Sequence, residues 1–91
     1  MTGKVLVVDD EPHIRRALRN ALAREFDSVL EASTAGEAVD LAAAQRPDLV
    51  VLDLALPDRP GQWVCAELRR WTTVPIIVLS ALHSEAEKVR L

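Results

Sequence analysis

An open α/β sheet of parallel strands, with helices on both faces, is the fold that this sequence predicts, and three observations predict it. Three short runs, Val5-Leu6-Val7-Val8, Leu49-Val50-Val51-Leu52 and Ile76-Ile77-Val78-Leu79, are apolar throughout and rich in β-branched residues. A strand with no polar side is covered on both faces, as parallel strands between helices are. The stretches between the runs carry helical periodicity, so strands and helices alternate along the chain. In 91 residues there is room for one such unit, and no repeat, linker or low-complexity stretch interrupts it.

The elements follow in order. After the first strand, Pro12 stands where a helix start favours it, and Ile14, Leu18, Ala21 and Leu22 recur at helical spacing. Arg15, Arg16, Arg19 and Arg24 read as the solvated face of this helix, and His13 as an exposed residue of its first turn. Ser28-Val29-Leu30-Glu31 alternates only partly, which suits a strand at the sheet edge. Ser33 or Thr34 can cap a second helix whose buried stripe is Ala35, Ala38, Val39 and Ala42, with Glu37 in capping-box spacing from Thr34. Pro47 stops that helix ahead of the third strand.

Pro57 and Pro60-Gly61 then punctuate a loop, and Val64, Leu68 and Trp71 form a third helical face with Trp71 in the core. Cys65 reads as a small hydrophobe near that face, Trp63 as partly packed beside it, and Arg69 and Arg70 near Glu67 as surface charge. The fourth strand follows, and a fourth helix opens near Ser84 and runs to Leu91.

Composition excludes several functions. Eleven basic against 14 acidic residues give a net charge of −3 and a pI of about 5.3, the opposite of the basic stripe that a nucleic-acid module carries. No apolar run approaches the roughly 18 residues of a membrane span. No signal-like segment precedes the first strand, and a lone cysteine cannot form an internal disulfide, so a cytoplasmic setting is expected. With three glycines in all and no glycine-rich fingerprint, nucleotide binding finds no support.

In open parallel sheets, ligands sit beyond the carboxyl ends of the strands. Asp9, Asp10 and Glu11 follow the first strand, Asp53 follows the third, and Ser80 follows the fourth. Asp10 and Asp53 brought within a few ångströms repel by about 4 kcal/mol at an effective dielectric near 20, and Asp9 adds to the strain. A proton or a cation must relieve it, and oxygen-only ligands select a hard ion, Mg²⁺ or Mn²⁺. Asp9, Asp10 and Asp53 are the candidate ligands, completed by a backbone carbonyl such as that of Ala55. A carboxylate is also a usable nucleophile toward phosphorus, which casts Asp53 as the acceptor and Ser80 as a hydroxyl within reach of the transferred group.

Val5-Leu6-Val7-Val8-Asp9-Asp10-Glu11-Pro12, then Pro47-Asp48-Leu49-Val50-Val51-Leu52-Asp53-Leu54 with Leu56-Pro57 and Gly61, then Val74-Pro75-Ile76-Ile77-Val78-Leu79-Ser80-Ala81 together resemble the receiver domain of two-component response regulators. The segment Leu68-Arg69-Arg70-Trp71 ahead of Val74-Pro75 is most similar to OmpR-type transcription regulators, in particular those of potassium uptake. The resemblance implies a flavodoxin-like sheet of order 2-1-3-4, with residues 1–91 as one receiver domain lacking its fifth strand, fifth helix and output domain. It also implies phosphorylation of Asp53 by a sensor histidine kinase, Mg²⁺ at Asp10, Asp53 and the Ala55 carbonyl, and Ser80 as the switch hydroxyl. The family's phosphate-pairing lysine lies on the fifth strand, and neither Lys4 nor Lys88 matches it. A fourth strand without that neighbour is a bare apolar edge, so self-association through it is expected.

Two rival functions stand against this one, and the first uses the same nucleophilic aspartate. A haloacid-dehalogenase-like phosphohydrolase would need a general acid two residues after the nucleophile, where Ala55 stands. A non-switching interaction or dimerisation module would keep the fold without the chemistry.

Overall fold

Residues 3–79 are described by the computed structural model of the chain. Over them run β1 (Lys4–Val8), α1 (Pro12–Leu22), β2 (Ser28–Ala32), α2 (Ala35–Gln45), β3 (Leu49–Leu52), α3 (Gly61–Arg69) and β4 (Ile76–Val78). The expected fourth helix lies outside the described residues. All strand pairs are parallel and the order is β2-β1-β3-β4, the expected sheet with the weakly alternating strand at one edge.

Alternation along the two central strands divides the core in two. Leu6, Val8, Val50 and Leu52 face one side, where they meet Ala35, Ala38 and Ala42 of α2 and Val64 and Leu68 of α3. Val5, Val7 and Val51 face the other, against Leu18 and Leu22 of α1 and Phe26. Chain direction explains the split. From β1 the chain steps one way to β2, then returns across β1 to β3 and continues to β4. With crossovers of one hand, a step in the opposite direction puts its helix on the opposite face.

The second helix is held at both ends. Thr34 Oγ1 accepts from the Glu37 N–H at 3.1 Å, while Glu37 Oε1 reaches back to the Ser33 N–H at 2.9 Å. Thr34 is therefore the cap, and the returning bond lands one residue earlier than in the usual capping box. The remaining first-turn donors are satisfied from another loop: Asp58 Oδ1 accepts from the Ala35 N–H at 2.8 Å and Oδ2 from the Gly36 N–H at 2.9 Å. At the other end Arg46 adopts a left-handed conformation (φ 49°), and the buried Pro47 ends the helix.

Four expectations are corrected. Trp71 is 43% exposed, because α3 ends at Arg69 and the helical face that would have buried the ring stops short of it. The Arg46 guanidinium lies 5.8 Å from the Trp71 ring centre instead, a cation–π contact at the surface. Ala21 is exposed, since the buried side of α1 runs through Leu18 and Leu22. Arg15 is half-buried and bonded, not solvated. The fourth strand is three residues long, with Ile77 and Val78 exposed at 51% and 45%. Cys65 and Trp63 are half-buried beside the core and His13 is exposed, as read from the sequence.

Gly61 begins α3 against the backbone that leaves β3. A β-carbon there would lie 2.7 Å from both the Asp53 carbonyl oxygen and the Leu54 Cα. Gly61→Ala should therefore cost about 1–3 kcal/mol as an overpacked site, although helix propensity alone favours alanine. Urea unfolding with an unchanged m-value measures it, and a stabilised variant would refute the close approach. The Gly36 N–H first, and the Ala35 N–H second, hold the Asp58 carboxyl below its ordinary value of 3.8. A depressed native value stabilises the fold above the unfolded value, and that contribution is lost as pH falls through the native one. The urea-midpoint gap between the parent chain and Asp58→Ala should be constant near neutrality and narrow as pH drops below 3.8. A gap that stays constant into acid counts against the cap.

Candidate functional site

Register brings the site together. Val8 pairs with Leu52, so the next residues, Asp9 and Asp53, leave adjacent strands side by side. Both are still held by main-chain bonds: the Asp53 N–H donates to the Val8 carbonyl at 2.9 Å and the Asp9 N–H to the Ala32 carbonyl at 3.0 Å. Asp9 continues the alternation of Val5 and Val7, and Asp53 that of Val51, so their side chains share one face of the sheet. Both are fully buried, while Asp10, one residue further out, is exposed. One carboxylate oxygen from each of Asp9, Asp10 and Asp53 lies within 4.8 Å of the others.

The two buried acids are built alike. Asp9 Oδ1 accepts from the Glu11 N–H at 2.8 Å, and Asp53 Oδ1 accepts from the Ala55 N–H at 3.1 Å. Each carboxylate thus closes a turn onto the residue two positions later, fixing its own orientation and the start of its loop. Like charges at this spacing repel one another, and a cation between them offsets that repulsion. Hard oxygen donors from two loops, two of them shielded from water, form a donor set suited to a small divalent cation such as Mg²⁺ or Mn²⁺.

The surrounding loops are tied down. The loop after β3 is pinned where the Gly61 N–H donates to the Leu54 carbonyl at 2.9 Å, and again where Asp58 caps α2. The Leu79 N–H donates to the Leu52 carbonyl at 2.8 Å, which holds the exit of β4 next to Asp53. Ser80, the expected switch hydroxyl, lies outside the described residues. On the β1 side, Arg15 Nη1 donates to the Asp9 carbonyl at 2.8 Å, and Arg15 Nε meets Glu31 Oε1 at 3.3 Å.

Sequence reasoning brought Asp9, Asp10 and Asp53 to one place and missed two supporting residues. Arg15 falls at the same helical face as Leu18 and Leu22, three and seven positions away, and that spacing was a signal that it points inward. Asp58 gave no signal, because its partners are 22 and 23 residues distant in the chain.

Among the described residues no helix is long and apolar enough to cross a membrane. A family model described as the response regulator receiver domain matches residues 5–91. The KDP operon transcriptional regulatory protein KdpE of Escherichia coli is 47% identical over 85 residues, covering 93% of this chain. The transcriptional regulatory protein KdpE of Mycobacterium tuberculosis is 50% identical over 86 residues, covering 94% of it. The chain spans 38% of the length of each of these curated relatives. Among solved structures, the MaeR response regulator bound to beryllium trifluoride superposes with a TM-score of 0.81 at 31% identity, covering 100% of this chain and 79% of that one. The BeF3-activated N-terminal receiver domain of Klebsiella pneumoniae RstA gives 0.79 at 30% identity, covering 96% of this chain and 74% of that one. With strand order, acidic cluster and relatives in agreement, the chain belongs to the receiver-domain family of two-component response regulators.

Proposed function

We propose that this chain is a phosphoacceptor module in which Asp53 takes a phosphoryl group from a partner histidine kinase. The observation that carries this reading is the convergence of the Asp9, Asp10 and Asp53 carboxylates at the carboxyl ends of two adjacent strands. A carboxylate oxygen of Asp53 attacks phosphorus while the bond from phosphorus to the donor breaks, and the donor leaves with that electron pair. The bond from the Ala55 N–H holds one oxygen of Asp53 in place, so the acceptor's orientation is set by its own loop. Asp9, Asp10, Asp53 and the Ala55 carbonyl would hold Mg²⁺ or Mn²⁺. Such an ion, when bound, supplies positive charge to offset that of the phosphoryl oxygens. The new phosphate adds about −1.5 to −2 charge, and Ser80 would donate a hydrogen bond to it, biasing the segment after β4.

The named relatives are transcriptional regulators. Control of transcription in the cytoplasm, through an output domain outside these 91 residues and without direct nucleic-acid contact by this chain, completes the proposal. A phosphohydrolase is disfavoured, because Ala55 offers no proton to a leaving group.

Incubation with Mg²⁺ and acetyl phosphate should add one phosphoryl group to the intact mass, and Asp53→Asn should abolish it. An unmodified parent chain, or an equally modified Asp53→Asn, would overturn the assignment. The exposed Ile77 and Val78 on the β4 edge also favour association between copies of this 91-residue chain. Sedimentation should show a concentration-dependent dimer, and a folded monomer throughout the micromolar range would speak against it.

A further inference from the structure

The geometry points to Arg15 as a positioning residue for the acidic pocket: by gripping the Asp9 carbonyl and Glu31 of β2 at once, it fixes the turn that presents Asp9 and Asp10. The inference rests on the proposed use of that pocket as a cation site and adds a residue to it from outside the carboxylate cluster.

The turn of residues 9–11 has Asp10, the exposed acid, at its middle. On its inner side the Glu11 N–H donates to Asp9 Oδ1 at 2.8 Å. On its helix side, Arg15 closes it twice. The Arg15 N–H donates to the Glu11 carbonyl at 3.0 Å, and Arg15 Nη1 donates to the Asp9 carbonyl at 2.8 Å. Both ends of the turn are therefore bonded to one residue.

A long side chain positions nothing unless it is itself held. Arg15 Nε lies 3.3 Å from Glu31 Oε1, and Glu31 sits on β2 directly opposite Val7 in the ladder. The second oxygen of Glu31 meets Arg19 Nη1 at 3.4 Å. The guanidinium is thus referenced to the sheet as well as to its own helix. Its side chain is 21% exposed against 51% for Arg19, so the inner contact is the better shielded of the two. Serving a carbonyl and a carboxylate in different directions from one rigid plane is a property of arginine. Lysine keeps the charge but offers a single point donor.

Charge and geometry make opposite forecasts, which separates them. By Coulomb's law alone, a cation beside an acidic cluster competes with a bound metal ion, so its removal would tighten metal binding. A positioning role requires the reverse, and requires that lysine fail to substitute.

The test uses the 91-residue chain, with Mn²⁺ affinity read by electron paramagnetic resonance and with amide hydrogen exchange in the metal-free protein. Arg15→Lys and Glu31→Gln should each weaken Mn²⁺ binding about tenfold, the usual scale for residues that orient metal ligands. The double variant should be no weaker than either single one, because both break the same clamp. Exchange at the Glu11 amide should accelerate in both, and Arg16→Lys, on the exposed side of α1, should change neither readout. Arg15→Met should also bind more weakly, so tighter binding there, or parental affinity in Arg15→Lys, overturns the inference. Should the parent chain bind no Mn²⁺, the cation reading fails on its own account. The exchange measurement then decides the clamp, and an unaltered Glu11 rate in both variants refutes it.

Discussion

The pairing of β1 with β3 is the constraint on which the molecule depends. Both strands are covered on both faces, so neither can slip by one residue without turning a row of valines and leucines to the wrong side. The same register that satisfies the core fixes where each chain emerges. Asp9 and Asp53 are neighbours because Val8 and Leu52 are neighbours. Proximity of the acids therefore follows from the apolar packing of the strands that lead into them.

Such an arrangement survives only if the buried carboxylates are held well. An unsolvated charge is costly unless donors replace the lost water. Here main-chain N–H groups of Glu11 and Ala55 do so from within the same loops. The backbone leaving β3 is confined further by Gly61, whose lack of a side chain lets α3 start directly against Asp53 and Leu54. The two buried acids directly follow the strand ends, and the loop beyond β3 is pinned by the Gly61–Leu54 bond and by Asp58.

What could be read from the sequence tracks the range of the interaction responsible. The runs of β1 and β3 were legible because burial on both faces leaves a continuous signature in neighbouring residues, and the run of β4 carries the same signature although Ile77 and Val78 are exposed. The small-residue stripe of α2 and its Thr34 cap were legible for the same local reason. Trp71 was misplaced because helical spacing continues in the sequence after the helix has ended, and a contact to Arg46 on another element took the place of the core. Arg15 was misplaced because its charge outweighed its position: the spacing to Leu18 and Leu22 turned it inward, and Glu31 on a different strand received it. Asp9, Asp10 and Asp53 were found as a group because topology ranks strand ends above other places. Which of them would be buried depended on the alternation of each strand carried one residue past its end.

Asp58 ties two parts of the structure that share no strand. Two of the first three N–H groups of α2 bond to a side chain from the loop after β3, and only the third bonds to a residue beside the helix itself. An excursion of that loop must either carry the helix along or strip two donors from its leading turn. Loop and helix are consequently joined through one exposed carboxylate, and either moves alone only by giving up both of its bonds.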